Sequence, residues 1–255
     1  MYPILLNVGG MTLHSYGVLA VAAMVAAGFV VQRLSRRHGI EPETALELTA
    51  AAIVGGLAGA RLYWLLEHWS EVRGDLLHAV VGGAGFTWYG GLLGGVAAVI
   101  ALARFRHVRL GLVANVMAPA VALGYAVARI GCLLAGDGTY GRPSGLPWAM
   151  AFPRGMVPTT VAVQPTALYE TLAMLVVFVV LYRMARRSQP GWYVFAWFLV
   201  LSGAERFAVE FLRVNPPWLA GLTPPQWFAL AGVLIGAAVV FATRARDRDG
   251  LEATA

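Results

Sequence analysis

The chain has no lysine. All nineteen basic residues among its 255 are arginine. Charge of either sign is scarce: Asp, Glu, Lys and Arg make up 13% of the residues, where a soluble domain carries about 25%. Hydrophobic residues reach 59%, against about 45–50% for an ordinary domain. These shortages exclude a soluble globule and a disordered chain. One cysteine, Cys132, excludes an intramolecular disulfide and any zinc site built on paired cysteines. The five histidines form no HExxH and no close pair, so neither a metal site nor another cofactor is expected. The net charge of +6 and pI near 9.9 would suit a nucleic-acid binder. The arginines, however, cluster between apolar runs, as the cytoplasmic anchors of a membrane protein do. Membrane lipids are the expected surroundings, and nucleic acid is not an expected partner.

An apolar run of about 20 residues spans the hydrocarbon core of about 30 Å. Seven such runs are present, near residues 15–33, 46–66, 88–104, 111–134, 165–185, 191–212 and 225–243. The third is short and rich in glycine (Gly90, Gly91, Gly94, Gly95), a spacing that close helix packing in lipid uses. Arginine placement tests the count. Arg33, Arg36 and Arg37 follow the first run, Arg104, Arg106 and Arg109 the third, Arg183, Arg186 and Arg187 the fifth, and Arg244, Arg246 and Arg248 the last. The intervening connections hold only Arg73, Arg142, Arg154 and Arg213. The positive-inside rule then predicts an all-α integral membrane protein with seven transmembrane helices, its N-terminus outside and its C-terminus cytoplasmic. The basic residues follow the first run instead of preceding it, which argues against a cleaved signal peptide. No internal repeat of the kind transporters show is visible. The whole chain, 1–255, reads as one transmembrane domain with an outer-side loop region at 135–165.

Three arginines remain within or at the end of apolar runs: Arg61, Arg129 and Arg206. A charge at the bilayer centre costs about 2.5–3.5 kcal/mol on insertion scales, so each must face protein, water or ligand. The acids near them are Glu67, Asp137, Glu170, Glu205 and Glu210. Arg61 reads as a snorkelling side chain or a partner of Glu67. Arg206 and Glu210 are four apart and share a helix face, with Arg213 one turn further. They form either an internal ion pair that eases insertion or an arginine that grips a phosphate with Glu210 orienting it. Arg129 opens the stretch Arg129-Ile-Gly-Cys-Leu-Leu-Ala-Gly-Asp-Gly-Thr-Tyr-Gly-Arg142. Its four glycines around Asp137 suit either a flexible turn or a close backbone approach to a ligand.

At these residues the chain resembles the prolipoprotein diacylglyceryl transferases, over nearly its whole length and in order. His14-Ser15-Tyr16-Gly17 is similar to the family's His-x-Tyr-Gly. Gly85-Phe86-Thr87-Trp88-Tyr89-Gly90-Gly91 is similar to its Gly-x-x-x-His-Gly-Gly. The 129–142 stretch occupies the place of Arg-x-Gly-Asn-Phe-x-Asn-x-Glu followed by Gly-Arg. Pro165-Thr166-Ala167-Leu168-Tyr169-Glu170 matches Pro-Ser-Gln-Leu-Tyr-Glu, and Arg206-Phe-Ala-Val-Glu210-Phe-Leu-Arg213 matches Arg-x-x-x-Glu-Phe-x-Arg. The chain departs from the pattern in several places. Cys132 and Ala135 stand for the two asparagines, Asp137 for the glutamate, Tyr89 for the histidine and Gln164 for the histidine before Pro165. The spacing to Gly141 is one residue longer. The resemblance is to a divergent member.

The resemblance implies transfer of the diacylglyceryl group of phosphatidylglycerol to the lipobox cysteine thiol of an exported prolipoprotein. Glycerol phosphate would be released on the outer side of the bacterial inner membrane. It makes Arg129 and Arg206 headgroup-gripping, with Gly141 shaping the signature loop and Tyr169 and Glu170 beside the lipid. Tyr16, Asp137, Glu210 and Tyr89 become the catalytic candidates. Cys132 reads as a transient lipid carrier or as a small residue in a buried turn. Two alternatives stand beside transfer to a prolipoprotein: another acceptor, or a non-catalytic module that binds lipid or a partner.

Overall fold

A computed structural model describes residues 2–8, 11–74 and 85–252. The expected connection at 65–88 therefore lies partly outside the described residues. So do the side chains of Arg246 and Arg248.

Each of the seven apolar runs falls on a helix: α1 (Ser15–Arg37), α2 (Pro42–Glu67), α3 (Trp88–Phe105), α4 (Leu110–Ala135), α5 (Thr166–Ala185), α6 (Tyr193–Glu210) and α7 (Pro224–Glu252). A single turn, Trp69–Val72, follows α2. Six of these helices are long and apolar enough to cross a membrane; α6 is not among them. It carries Glu205, Arg206 and Glu210 within its 18 residues. Along α1, Val21, Val25 and Phe29 are 61%, 68% and 71% exposed and recur every four residues. Such a stripe on an apolar helix suits lipid, not water. The chain is a multi-pass helical membrane protein.

Two small antiparallel sheets break the all-helical expectation. The first pairs β1 (Ile4–Val8) with β2 (Met11–His14). The second pairs β3 (Met150–Phe152) with β4 (Thr159–Val163), inside the segment read from sequence as a loop region. Pro and Gly around such short strands conceal their alternation, which is why the sequence reads as loop there.

The described residues form two compact units, Met1–Val30 with Ala114–Ala255, and Val31–Val113. In the second, α2 and α3 pack backbone to backbone. Gly55 and Gly59 of α2 lie against Gly94 and Gly90 of α3. A Cβ on Gly94 would sit 2.8 Å from the Gly59 Cα, and one on Gly59 would meet the Gly90 carbonyl. Two facing small-x-x-x-small stripes explain why this glycine-rich helix holds its place. Arg61 donates to the Gly85 carbonyl at 2.9 Å and lies 4.9 Å from the Trp64 ring centroid. Its charge is met by a carbonyl dipole and an aromatic face.

The first unit holds α5, α6, α7, both sheets and most of α1 and α4; Phe152, Leu181, Val194 and Val116 are nearly fully buried in it. Asn115 of α4 fixes the start of α6. Its Oδ1 accepts from the Val194 and Phe195 amides at 3.0 and 3.1 Å, and its Nδ2 donates to the Gly191 carbonyl at 2.9 Å. Those amides have no partner within their own helix, so a buried side chain takes that role. At the start of α7, Gln226 reaches back to accept from the Thr223 amide at 2.9 Å. That frees the Thr223 hydroxyl for another partner.

Candidate active site

Glu170 lies in the second turn of α5 and is fully buried. An isolated carboxylate there would be prohibitively costly, so its partners define the site. Arg129 of α4 brings Nε to 2.5 Å from Glu170 Oε2. Tyr125, one turn earlier on α4, donates its hydroxyl to the same oxygen at 2.5 Å. Arg213, just beyond α6, donates Nη1 to Oε1 at 3.1 Å. Arg206 Nη1 stands 3.5 Å from Oε1. Three guanidinium groups and a phenol thus converge on one carboxylate.

Glu210 is the second anion. Its Oε2 lies 2.7 Å from Arg206 Nη2 and 3.9 Å from Arg213 Nε. Its Oε1 accepts from Asn215 Nδ2 at 2.6 Å and from the Thr223 hydroxyl at 2.9 Å. Three arginines meet two glutamates in direct ion pairs, and the Glu205 carboxyl lies within electrostatic reach of all three. Arg129 Nη2, also buried, has no hydrogen-bond partner among the described residues. A guanidinium with an open donor in a protein-lined, apolar setting is chemically suited to an anionic oxygen.

The Arg129–Arg142 stretch runs from the end of α4 into a tight turn. Gly136 and Gly138 have φ of 60° and 88°, the region where a side chain is strained. Asp137 lies between them and accepts from the Thr139 amide at 3.1 Å and the Thr139 hydroxyl at 2.7 Å. Arg129 Nη1 reaches the same hydroxyl at 3.4 Å. Tyr140 donates to the Gly136 carbonyl at 3.0 Å and to Val157, and its ring stacks on Phe152 at 4.3 Å. Burial raises its phenol above the ordinary tyrosine value, so it stays a donor at neutral pH.

Gly141 is wedged between two backbones. Its amide donates to the Gln164 carbonyl at 2.8 Å, and it bridges Arg213. A Cβ there would stand 2.5 Å from the Leu212 carbonyl oxygen and 2.7 Å from the Gln164 Cβ. Next to it, the Arg142 amide donates to the Leu212 carbonyl at 2.8 Å. These backbone pairings carry Arg213 to Glu170.

The expected site residues fall into three groups. Arg129, Arg206, Glu210 and Glu170 come together, with Glu170 as the anion that gathers the arginines. Asp137 joins through Thr139, and Tyr16, 48% exposed at the start of α1, lies within electrostatic reach of Arg129, Asp137 and Cys132. Cys132 is buried with Asp137 and Arg129 as polar neighbours. Tyr169 belongs to a separate chain: Trp148 donates to its hydroxyl at 2.7 Å, and that hydroxyl donates to Gln164 Oε1 at 2.7 Å. Tyr89 lies in the second unit, on α3, edge-on to Trp88 at 5.3 Å.

Sequence reading placed Arg213 one turn beyond Glu210 but gave it no role in the site, and it missed Tyr125, Thr139, Asn215 and Thr223. The four-residue spacing of Tyr125 and Arg129 on one helix face is the local signal that could have found the tyrosine. Asn215 and Thr223 lie on a loop and a helix cap, where no periodicity marks them.

A family model described as prolipoprotein diacylglyceryl transferase matches residues 3–242. A phosphatidylglycerol–prolipoprotein diacylglyceryl transferase of Methylococcus capsulatus is 35% identical over 257 residues, covering 96% of each chain. One from Dehalococcoides mccartyi is 30% identical over 242 residues, covering 94% of this chain and 92% of its own. One from Trichormus variabilis is 29% identical over 248 residues, covering 92% and 87%.

Proposed function

The chain belongs to the prolipoprotein diacylglyceryl transferase family, and we propose that it performs the reaction its relatives are named for. It is a transferase that moves diacylglyceryl from phosphatidylglycerol to prolipoprotein. The acceptor atom is the lipobox cysteine thiol, and the released group is glycerol phosphate. Phosphatidylglycerol carries a negative charge on its phosphate, and three guanidinium groups converge at this site with Arg129 Nη2 buried and without a hydrogen-bond partner among the described residues. That open cationic donor is the observation behind the reading.

The residue roles follow from the chemistry. Displacing glycerol phosphate builds negative charge on the departing oxygen, and fixed donors in a site shielded from water stabilise it. Arg129 and Arg206 supply those donors, with Arg213 beside them. Glu170 and Glu210 hold the guanidinium groups in place and prevent them from dispersing into solvent. Gly141 keeps the turn close enough for Arg213 to reach Glu170. Tyr16 and Asp137, both within electrostatic reach of Arg129 or its partners, are candidate catalytic groups, as is Tyr89 of the second unit, and Tyr169 orders the turn through Gln164. Residues 1–255 act as one transmembrane domain with the 135–165 region on the outer side. The membrane is the bacterial inner membrane, with the N-terminus outside and the C-terminus cytoplasmic. Helix α6 also spans the membrane and brings the count to seven; pairing Arg206 with Glu210 and Glu170 lowers the cost of its charges.

Purified protein in phosphatidylglycerol vesicles, incubated with a lipobox peptide, tests the reading. The peptide should gain the mass of a diacylglyceryl group and glycerol phosphate should appear in step. An unchanged peptide, beside a relative that modifies it, would rule the transfer out.

A further inference from the structure

We propose that Glu205 of α6 is the catalytic residue that takes the proton from the acceptor thiol, an inference that rests on the transfer reaction proposed above. Glu205 precedes Arg206 and plays no part in the ion pairs that build the ring. Its Oε1 is buried and has no hydrogen-bond partner among the described residues. Buried polar atoms are nearly always paired, so an open one in a reactive centre is an acceptor kept for a ligand.

The other carboxylates near the ring are committed. Glu170 and Glu210 each use both oxygens on arginine, tyrosine, asparagine or threonine. Asp137 accepts twice from Thr139. Glu205 lies within electrostatic reach of Glu170 on α5, Tyr125 and Arg129 on α4, Arg206 on its own helix and Arg213 beyond it. Helix α7 carries no ionisable residue from Pro224 to Thr243. Arg129 Nη2 and Glu205 Oε1 are thus buried atoms with neither a hydrogen bond nor an ion pair among the described residues, on side chains within electrostatic reach of each other. A phosphodiester oxygen satisfies the first and an S–H the second.

The step balances. The thiol proton passes to Glu205 Oε1 as sulfur bonds to the glycerol carbon that bears the phosphate. The carbon–oxygen bond breaks, and its electron pair leaves on the phosphate oxygen held by the arginines. Glu205 then gives the proton to the released glycerol phosphate or to water, restoring the carboxylate.

Glu205→Gln keeps the shape and removes the acceptor; Glu205→Asp keeps the acceptor on a shorter arm. Both are assayed beside the unaltered protein with phosphatidylglycerol vesicles and a lipobox peptide. General-base loss should lower kcat of the glutamine variant by about 10²–10⁴-fold while its KM for phosphatidylglycerol stays within about twofold. The aspartate variant should recover part of that loss. A glutamine variant with unaltered kcat overturns the proposal and leaves the transferase reading standing. So does one that loses kcat and phosphatidylglycerol affinity together, because that marks a structural residue. An inactive unaltered protein overturns both.

Discussion

Arg129 and Glu170 meet at 2.5 Å, Nε to Oε2, on neighbouring helices, with the carboxylate fully buried. Neither group is stable in an apolar setting alone, so the pair ties the α4–α5 association to the integrity of the site. Every other cation of the cluster reaches the same carboxylate, which makes Glu170 the residue whose loss the site tolerates least.

Glu170→Gln leaves three guanidinium groups with one fewer counter-charge. Removing one partner of a buried ion pair costs about 3–5 kcal/mol. Thermal unfolding in detergent, followed by tryptophan fluorescence, should show a clearly lower midpoint than the unaltered protein. A midpoint within a degree or so would mean that water already screens the cluster.

Arg206→Lys keeps the charge but loses the planar fork that contacts both glutamates. A charge-assisted hydrogen bond contributes about 1.5–3 kcal/mol, so kcat/KM for phosphatidylglycerol should fall by about 10- to 150-fold. Steady-state kinetics over a phosphatidylglycerol dilution series decide it. Full activity in the lysine variant would show that point charge alone suffices.

Gly141→Ala forces a methyl group against the Leu212 carbonyl and the Gln164 side chain. Overpacking costs about 1–3 kcal/mol, and here the displaced backbone is the one that delivers Arg213. The expected outcome is reduced transfer with a smaller change in melting temperature. A variant as active as the parent would disconnect this turn from the chemistry.

Gly94→Leu drives a bulky side chain into Gly59 of α2. The second unit should lose its α2–α3 contact, read as faster proteolysis of its connecting segments in reconstituted vesicles. An unchanged cleavage pattern would show that the glycine stripes are not required for packing.

Composition made the membrane class plain, and the apolar runs located six of the seven helices to within four residues; the last helix runs on past its apolar stretch to Glu252. Arg129, Arg206 and Glu210 were visible because a charge inside an apolar run is conspicuous on its own. Arg213 was seen one turn beyond Glu210 but not as part of the site. It lies past the end of α6, so arginine counting assigned it to a connection, and backbone pairing with Gly141 returns it to Glu170. Glu170 was one of five acids near the embedded arginines and read as a headgroup-binding residue, because nothing local announces that three cations from elsewhere in the chain enclose it. The β3–β4 hairpin escaped notice for a related reason: its pairing, not its residue pattern, makes it a sheet.

The arginine ring also sets an order on biogenesis. Synthesis proceeds from the N-terminus, so Arg129 emerges with α4 before either Glu170 or Glu210 exists. Until α5 follows, that guanidinium needs a temporary anion or a wet refuge at the insertion machinery. Completing the reactive centre therefore coincides with the late steps of threading the polypeptide into the bilayer, and a nascent chain halted before α6 cannot own a finished one.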